Sequence, residues 1–425
     1  MIKRICLAIA VIAMSYNLKA EGFAVNLQGN KQTGMGHVGT ALNFDASSMQ
    51  WNPGALATLS NKYSFSLGAS LTLTETEYTG LGGTEKTDNP ARPPFYFYGA
   101  IKVNDNLAFG LGAYTPFGNK VKWGDKWSGR YLIQDLSLKA IFIQPTVSYK
   151  VNNWLSIGAG MMIVKGDVEL NRAVPVINPN DGSLVGSGKV GITGDKIEYG
   201  YNLGIFIQPN EKLSLGISYR SKVEMSLNHL DASADFSFPS EIPAPFQAAF
   251  PDGNVAVTLP LPSSFNLGFA YQINNKWLIS ADVNFIGWSE YESLAFDFEN
   301  DPTERLSTPS ARNWDNTTTW RFGAGYTANE KLDLYAGLYF DETPTNKMYY
   351  SPETPGANKV GVSAGFSYKL TNKLNLDASL LYNEGKKVTA AETNASTQQI
   401  YGEQGFAGEY KYRAWLPGIG ITYNF

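Results

Sequence analysis

The 425-residue chain has one cysteine, Cys6, and two histidines, His37 and His229. Cys6 falls within the first 20 residues, where Lys3 and Arg4 precede the apolar run 5–14 and Leu18-Lys19-Ala20 is similar to a small-residue cleavage site. Residues 1–20 therefore read as a secretory signal, because a retained spanning helix needs about 20 apolar residues. Removing Lys3, Arg4 and Lys19 leaves 31 basic residues against 38 acidic ones, a net charge of −7. The mature chain has no cysteine, so an exported protein of this size holds together without disulfides. Without thiolates, and with so few histidines, no transition-metal site and no cofactor is expected. Neither histidine is accompanied by a nucleophile-elbow sequence, which argues against a Ser-His hydrolase. The early glycines precede no helix-opening Lys-Ser or Lys-Thr, which excludes a phosphate loop. The acidic balance is spread along the chain and gives nucleic acid no purchase. Linkers are missing too, and so is any later segment apolar enough for a membrane helix. Membrane insertion, if it occurs, must be by a β-barrel.

What the chain has instead is alternation. In residues 63–73, Tyr63, Phe65, Leu67, Ala69, Leu71 and Leu73 alternate with Ser64, Ser66, Gly68, Ser70 and Thr72. Strict period two places one face in an oily medium and the other against polar groups. Six short turns recur between such runs, around Asn104, Asn152, Asn210, Asn274, Asn329 and Asn372. Six turns on one side, with both chain ends on that side, give 14 strands. Short turns on one side and long loops on the other is the outer-membrane pattern. On this phasing Glu198, Arg220, Asp282, Arg321, Asp333, Lys369 and Asp377 all face inward. Arg or Lys at mid-depth on the lipid side would cost about 2–4 kcal/mol each. The fold expected is thus all-β, a 14-stranded antiparallel transmembrane β-barrel over residues 62–425 in the outer membrane of a Gram-negative bacterium. Its end, Ile419-Gly420-Ile421-Thr422-Tyr423-Asn424-Phe425, is similar to the barrel-assembly signal of outer-membrane proteins.

Residues 21–61 have no period of their own. Gly29, Gly34, Gly36 and Gly39 break any long element, while Phe23, Leu27, Met35, Val38 and Leu42 need burial. A 14-strand barrel is wider than side chains alone can fill, so this segment is expected to be a plug, or hatch, in the lumen.

The plug and the strands after it resemble the outer-membrane long-chain fatty-acid transporter family (FadL type), which also includes carriers of aromatic hydrocarbons. The resembling pieces are Gly22-Phe23, Thr33-Gly34-Met35-Gly36, Asn52-Pro53-Gly54, Tyr114-Thr115-Pro116-Phe117-Gly118, Gly129-Arg130-Tyr131, Leu259-Pro260-Leu261-Pro262, Trp288-Ser289 and Asp341-Glu342-Thr343-Pro344. The resemblance implies a monomeric barrel, set among outer-membrane lipid and lipopolysaccharide. Hydrophobic ligand is captured by extracellular loops, held beside the hatch and released sideways at a kinked third strand. Phe23 would line the internal site, and Asn52, Pro53 and Gly54 would match a hatch Asn-Pro-Ala, with Gly54 a departure.

Gly110, Gly112 and Gly118 lie in or just after the third strand, where glycine suits a bend; the alternative is ordinary interior glycine. The long loops are greasy: Phe117, Trp123, Trp127 and Arg130 in one, Phe236, Phe238, Phe246 and Phe250 in another. Exposed apolar patches mark ligand or membrane contact; an aromatic girdle or loop self-packing is the alternative. Lys122, Arg130, Arg220 and Arg321 are candidates for a carboxylate head, or else pair with interior acids. The function expected is passive, non-enzymatic uptake of long-chain fatty acid or a similar hydrophobic molecule. The alternatives are a diffusion pore for polar solutes and a surface-binding adhesin barrel.

Overall fold

In a computed structural model the described residues are 22–80, 82–301, 306–307, 309–345, 347–391, 394–395, 397–401 and 405–425. Residues 1–20, expected from the sequence to be a secretory signal, and Glu21 lie outside them. Fourteen antiparallel strands close into a barrel. They are β1 (Tyr63–Ser70, continued as Leu73–Gly80), β2 (Phe95–Lys102), β3 (Leu107–Lys122), β4 (Asp135–Lys150), β5 (Leu155–Ile177), β6 (Leu184–Asn210) and β7 (Leu213–Arg220, continued as Val223–Leu227). They go on as β8 (Gly253–Leu261, continued as Ser264–Gln272), β9 (Trp277–Ile286), β10 (Thr317–Asn329), β11 (Leu332–Asp341), β12 (Lys359–Lys369), β13 (Leu374–Gly385) and β14 (Gly408–Asn424). The seam pairs β1 with β14 from Ser64↔Asn424 to Ser70↔Gly418. At its foot Tyr63 and Phe425 exchange backbone hydrogen bonds of 2.8 and 3.0 Å, and their rings stack 4.7 Å apart.

The period-two reading fixes what faces where. Leu67 is 50% exposed on the outside and Ser66 is 3% exposed on the inside, as an oily medium around a polar lumen requires. The turns close by side-chain chemistry. Asn104 Oδ1 accepts the backbone N–H of Asn106 and Leu107, both at 2.9 Å. Asn152, Asn210, Asn274 and Asn329 also accept the N–H two residues on. In the sixth turn, around Asn372, the acceptor is instead the Thr371 hydroxyl.

Residues 22–59 run along the inside of this wall. Helix α1 (Asn30–Gly34), helix α2 (Ser48–Trp51) and the 3-10 turn Pro53–Thr58 are almost wholly buried. Between the helices Gly36 and His37 take left-handed backbone (φ 69° and 65°), which reverses the chain. The wall admits this backbone because glycines face it. A Cβ on Gly158, Gly204, Gly216, Gly323 or Gly337 would fall inside contact distance of Pro53, Asn52, Thr40, Met35 and Gly36 respectively.

Candidate functional site

Polar anchors from at least four strands hold the segment. Asp282 of β9 accepts the N–H of Gly39 at 2.8 Å and of Thr40 at 2.9 Å. Arg321 of β10 lies 5.8 Å over the Trp51 ring and donates to the His37 carbonyl at 3.4 Å. Lys31 bonds Asp45 at 2.9 Å and lies 3.8 Å from Asp377 of β13. Arg220 of β7 donates to the Gln50 carbonyl at 3.1 Å. These lumen-facing charges therefore engage the plug, which leaves little of Arg220 or Arg321 to serve as a simple carboxylate clamp. Asn52 Nδ2 bridges Thr40 O at 2.8 Å and Ile205 O of β6 at 2.9 Å, while its Oδ1 accepts Gly54 N–H at 3.0 Å. An added Cβ at Gly54 would meet Gly204 O at 2.9 Å and Phe206 N at 3.0 Å. Glycine at that position thus matches a close approach to β6.

The third strand is irregular, though not at the expected glycines. Gly110 and Gly112 keep unbroken register with β4, and a Cβ on either would meet Met49 of the plug. They are clearance for packing. The shift lies between Tyr114 and Phe117, so Thr115-Pro116 is the bulge. Proline there fits, because β2 has ended: its last partner pair with β3 is Tyr96↔Tyr114. Beyond that pair the plug's own N-terminal tail takes the vacated edge. Ala24 bridges Phe117, Val25 donates to Pro116 O at 2.7 Å and Gly118 donates to Phe23 O at 3.1 Å. The Gln28 amide donates to Thr115 O at 2.8 Å.

Phe23, 4% exposed, sits in an aromatic box. Its ring lies 4.8 Å from Trp288, 6.0 Å from Trp314, 6.3 Å from Phe117 and 6.4 Å from Tyr291. Two cavities meet beside it. The inner one, about 510 Å³, is walled by Phe23, Phe117, Leu381 and Leu416 on its apolar side. Arg321, Tyr339, Asp341, Lys359 and Tyr412 form its polar side, and Thr72, Arg92, Pro94 and Phe95 its outer end in the wall. The outer one, about 70 Å³, is a narrow apolar groove among Leu136, Val168, Met225, Leu259, Leu294 and Phe296.

The greasy loops proved to be packed against themselves. Phe117 belongs to β3, and Trp123 and Trp127 are 6% and 3% exposed. The two indoles stack 4.4 Å apart, against Tyr78 and close to Phe406 and Tyr410. Phe250 lies 5.8 Å from Phe236 and 5.5 Å from Phe238, while Phe246 is half-buried on the short helix Ala244–Gln247. Much of the expected second loop is strand, Ala232–Ser237 and Gly253–Leu261. Arg130 is half-buried over the Tyr131 ring at 4.6 Å, and Lys122 is exposed at the end of β3. His37 packs edge-on to Tyr339, whereas His229 is half-buried with Nε2 3.0 Å from Asp297 O.

A further buried cluster joins two loops. Arg312, 2% exposed, is ion-paired with Glu353, which also accepts from the Ser351 hydroxyl. Burial works against the guanidinium cation, but the adjacent carboxylate outweighs it and raises the Arg312 pKa.

A closed 14-strand barrel, oily outside and filled inside by its own N-terminal segment, with a half-apolar cavity beside it, defines an outer-membrane transport channel. The family model described as outer membrane protein transport protein (OMPP1/FadL/TodX) matches residues 10–425, and the chain belongs to that family. Its members are transport channels of the outer membrane for hydrophobic molecules, not enzymes. The long-chain fatty acid transport protein of Escherichia coli O6:H1 is 22% identical over 99% of this chain and 98% of its own. A crystal structure of a Pseudomonas aeruginosa FadL homologue superposes with a TM-score of 0.82 at 19% identity, covering 95% of this chain and all of that one. The Pseudomonas putida toluene transporter TodX follows at 0.70 and 18%, covering 96% and 99%.

Proposed function

We propose that this protein takes up long-chain fatty acids or similar hydrophobic molecules passively, holds them beside the plug, and releases them sideways at the β3 bulge. The observation that carries the reading is the course of the inner cavity. It starts at the aromatic box around Phe23 and ends at Thr72, Arg92 and Phe95, where β2 has stopped. An acyl chain in contact with Phe117, Leu381 and Leu416 gains roughly 0.8 kcal/mol per buried methylene. Lys359 and Arg92 at the cavity wall suit a carboxylate head. With Trp123 and Trp127 packed inward, first capture falls to the outer groove rather than to exposed loop aromatics. Residues 21–61 act as the hatch, and Asn52, Pro53 and Gly54 seat it against β6. The barrel works as a monomer, among outer-membrane lipid and lipopolysaccharide. Net flux is downhill or drawn by trapping on the inner side. Mass spectrometry of hydrophobic molecules carried through gentle purification tests this: a bound fatty acid or hydrocarbon is expected. An empty protein with steady ion conductance would instead indicate a pore for polar solutes.

A further inference from the structure

The two cavities share six wall residues: Phe23, Phe117, Gly118, Leu138, Lys139 and Thr354. Five come from the plug, β3 and β4; Thr354 alone comes from the connection between β11 and β12. Its segment, residues 351–355, reaches into the barrel mouth from the far side of the sheet order. Glu353 lines the outer groove, Pro355 the inner cavity, and Thr354 both. A molecule moving from groove to cavity must therefore pass this segment.

Two kinds of contact hold the segment in place. Asn119 of β3 donates to the Glu353 carbonyl at 2.9 Å, and the indole of Trp123, just past the end of β3, donates to Pro352 O at 3.0 Å. From the connection between β9 and β10, Arg312 pairs with the Glu353 carboxylate. Arg312 is itself fixed by its backbone N–H to Glu292 O at 2.7 Å and by its guanidinium to the Ser310 hydroxyl at 2.7 Å. Both partners of the ion pair are nearly inaccessible, with side chains 2% and 9% exposed. A buried ion pair adds little net stability over an apolar pair, yet removing one partner is costly. Such a pair suits a contact that fixes position.

We propose that residues 351–355 form a gate between the outer groove and the inner cavity, and that the buried Arg312–Glu353 pair is the positioning contact that keeps it closed. The inference rests on the transport reading above and adds the step that sets how fast ligand passes from groove to cavity.

A gate changes rates in both directions, whereas a binding contact changes chiefly the dissociation rate. The test is stopped-flow fluorescence of the purified full-length protein in detergent, with cis-parinaric acid, a fluorescent C18 fatty acid, as probe. Glu353→Gln is expected to raise association and dissociation rates together by at least about tenfold, with Kd little changed. Glu353→Asp should fall between the variant and wild type. Asn119→Ala, which leaves the ion pair intact, should raise both rates by about fivefold, the worth of one neutral hydrogen bond. It decides the matter if Glu353→Gln fails to give a heat-modifiable barrel. Unchanged rates in the folded variants, or a rise in dissociation alone, would overturn the gate while leaving transport standing. Wild-type protein that does not bind the probe would remove the transport reading for fatty acids, and this inference with it.

Discussion

Asp282→Ala should uncork the barrel. Asp282 is 1% exposed, and one carboxylate oxygen accepts two plug backbone N–H groups at 2.8 and 2.9 Å. Across the sheet it is in register with Arg321, which lies over Trp51 and donates to His37 O. Hydrogen bonds to a charged acceptor contribute about 1.5–3 kcal/mol each. Alanine therefore removes about 3–6 kcal/mol of plug attachment, and leaves the Gly39 and Thr40 N–H groups and the Arg321 cation without that carboxylate. Water entering the freed space returns part of this, so a net loss of about 3 kcal/mol is expected. That multiplies the released fraction of plug by more than about a hundredfold, at 1.4 kcal/mol per tenfold. The barrel ladder itself is backbone to backbone, so the heat-modifiable band should persist. In planar bilayers the variant should show frequent large openings that wild type lacks, and added protease should clip residues 22–61. Asp282→Asn keeps one acceptor and should be intermediate. Conductance and protease resistance equal to wild type would refute the claim that this carboxylate holds the plug.

Phe23→Ala empties the centre of the aromatic box and should weaken cis-parinaric acid binding at least about tenfold, since each aromatic contact adds about 0.5–1.5 kcal/mol beyond burial; an unchanged Kd counts against Phe23 as part of the site. Leu67→Arg should cost about 2–4 kcal/mol in urea unfolding from lipid vesicles, because Leu67 points into lipid; an effect no larger than that of Leu67→Ala would contradict the outward phase. Asn104→Ala removes two turn hydrogen bonds of 2.9 Å and should lower stability by about 1 kcal/mol without affecting ligand binding.

The barrel was legible because a lipid-facing strand is a strong one-dimensional signal. Alternation, turn asparagines and the shared phase of Asp282, Arg321 and Asp377 all appear within short windows. The plug could be read as a segment that needs a shell, but its partners could not, since Lys31 meets Asp377 across several hundred positions of chain. The bulge had a visible sign that the glycines obscured: Pro116 inside an alternating run cannot donate to a ladder. The glycines instead report how closely the plug presses on the wall, which depends on tertiary contact. Trp123 and Trp127 look like exposed loop residues in sequence because their partners, Tyr78 and Phe406, come from opposite ends of the chain. The Arg312–Glu353 pair joins two loops separated by two strands, and no local pattern marks it.

The most direct measurement is uptake of radiolabelled oleate, and of labelled toluene alongside it, in a strain lacking the gene and in the same strain carrying it on a plasmid. The account predicts that uptake of at least one of the two falls in the deletion strain and is restored by the wild-type protein. Uptake of both at wild-type rates without the protein would contradict it.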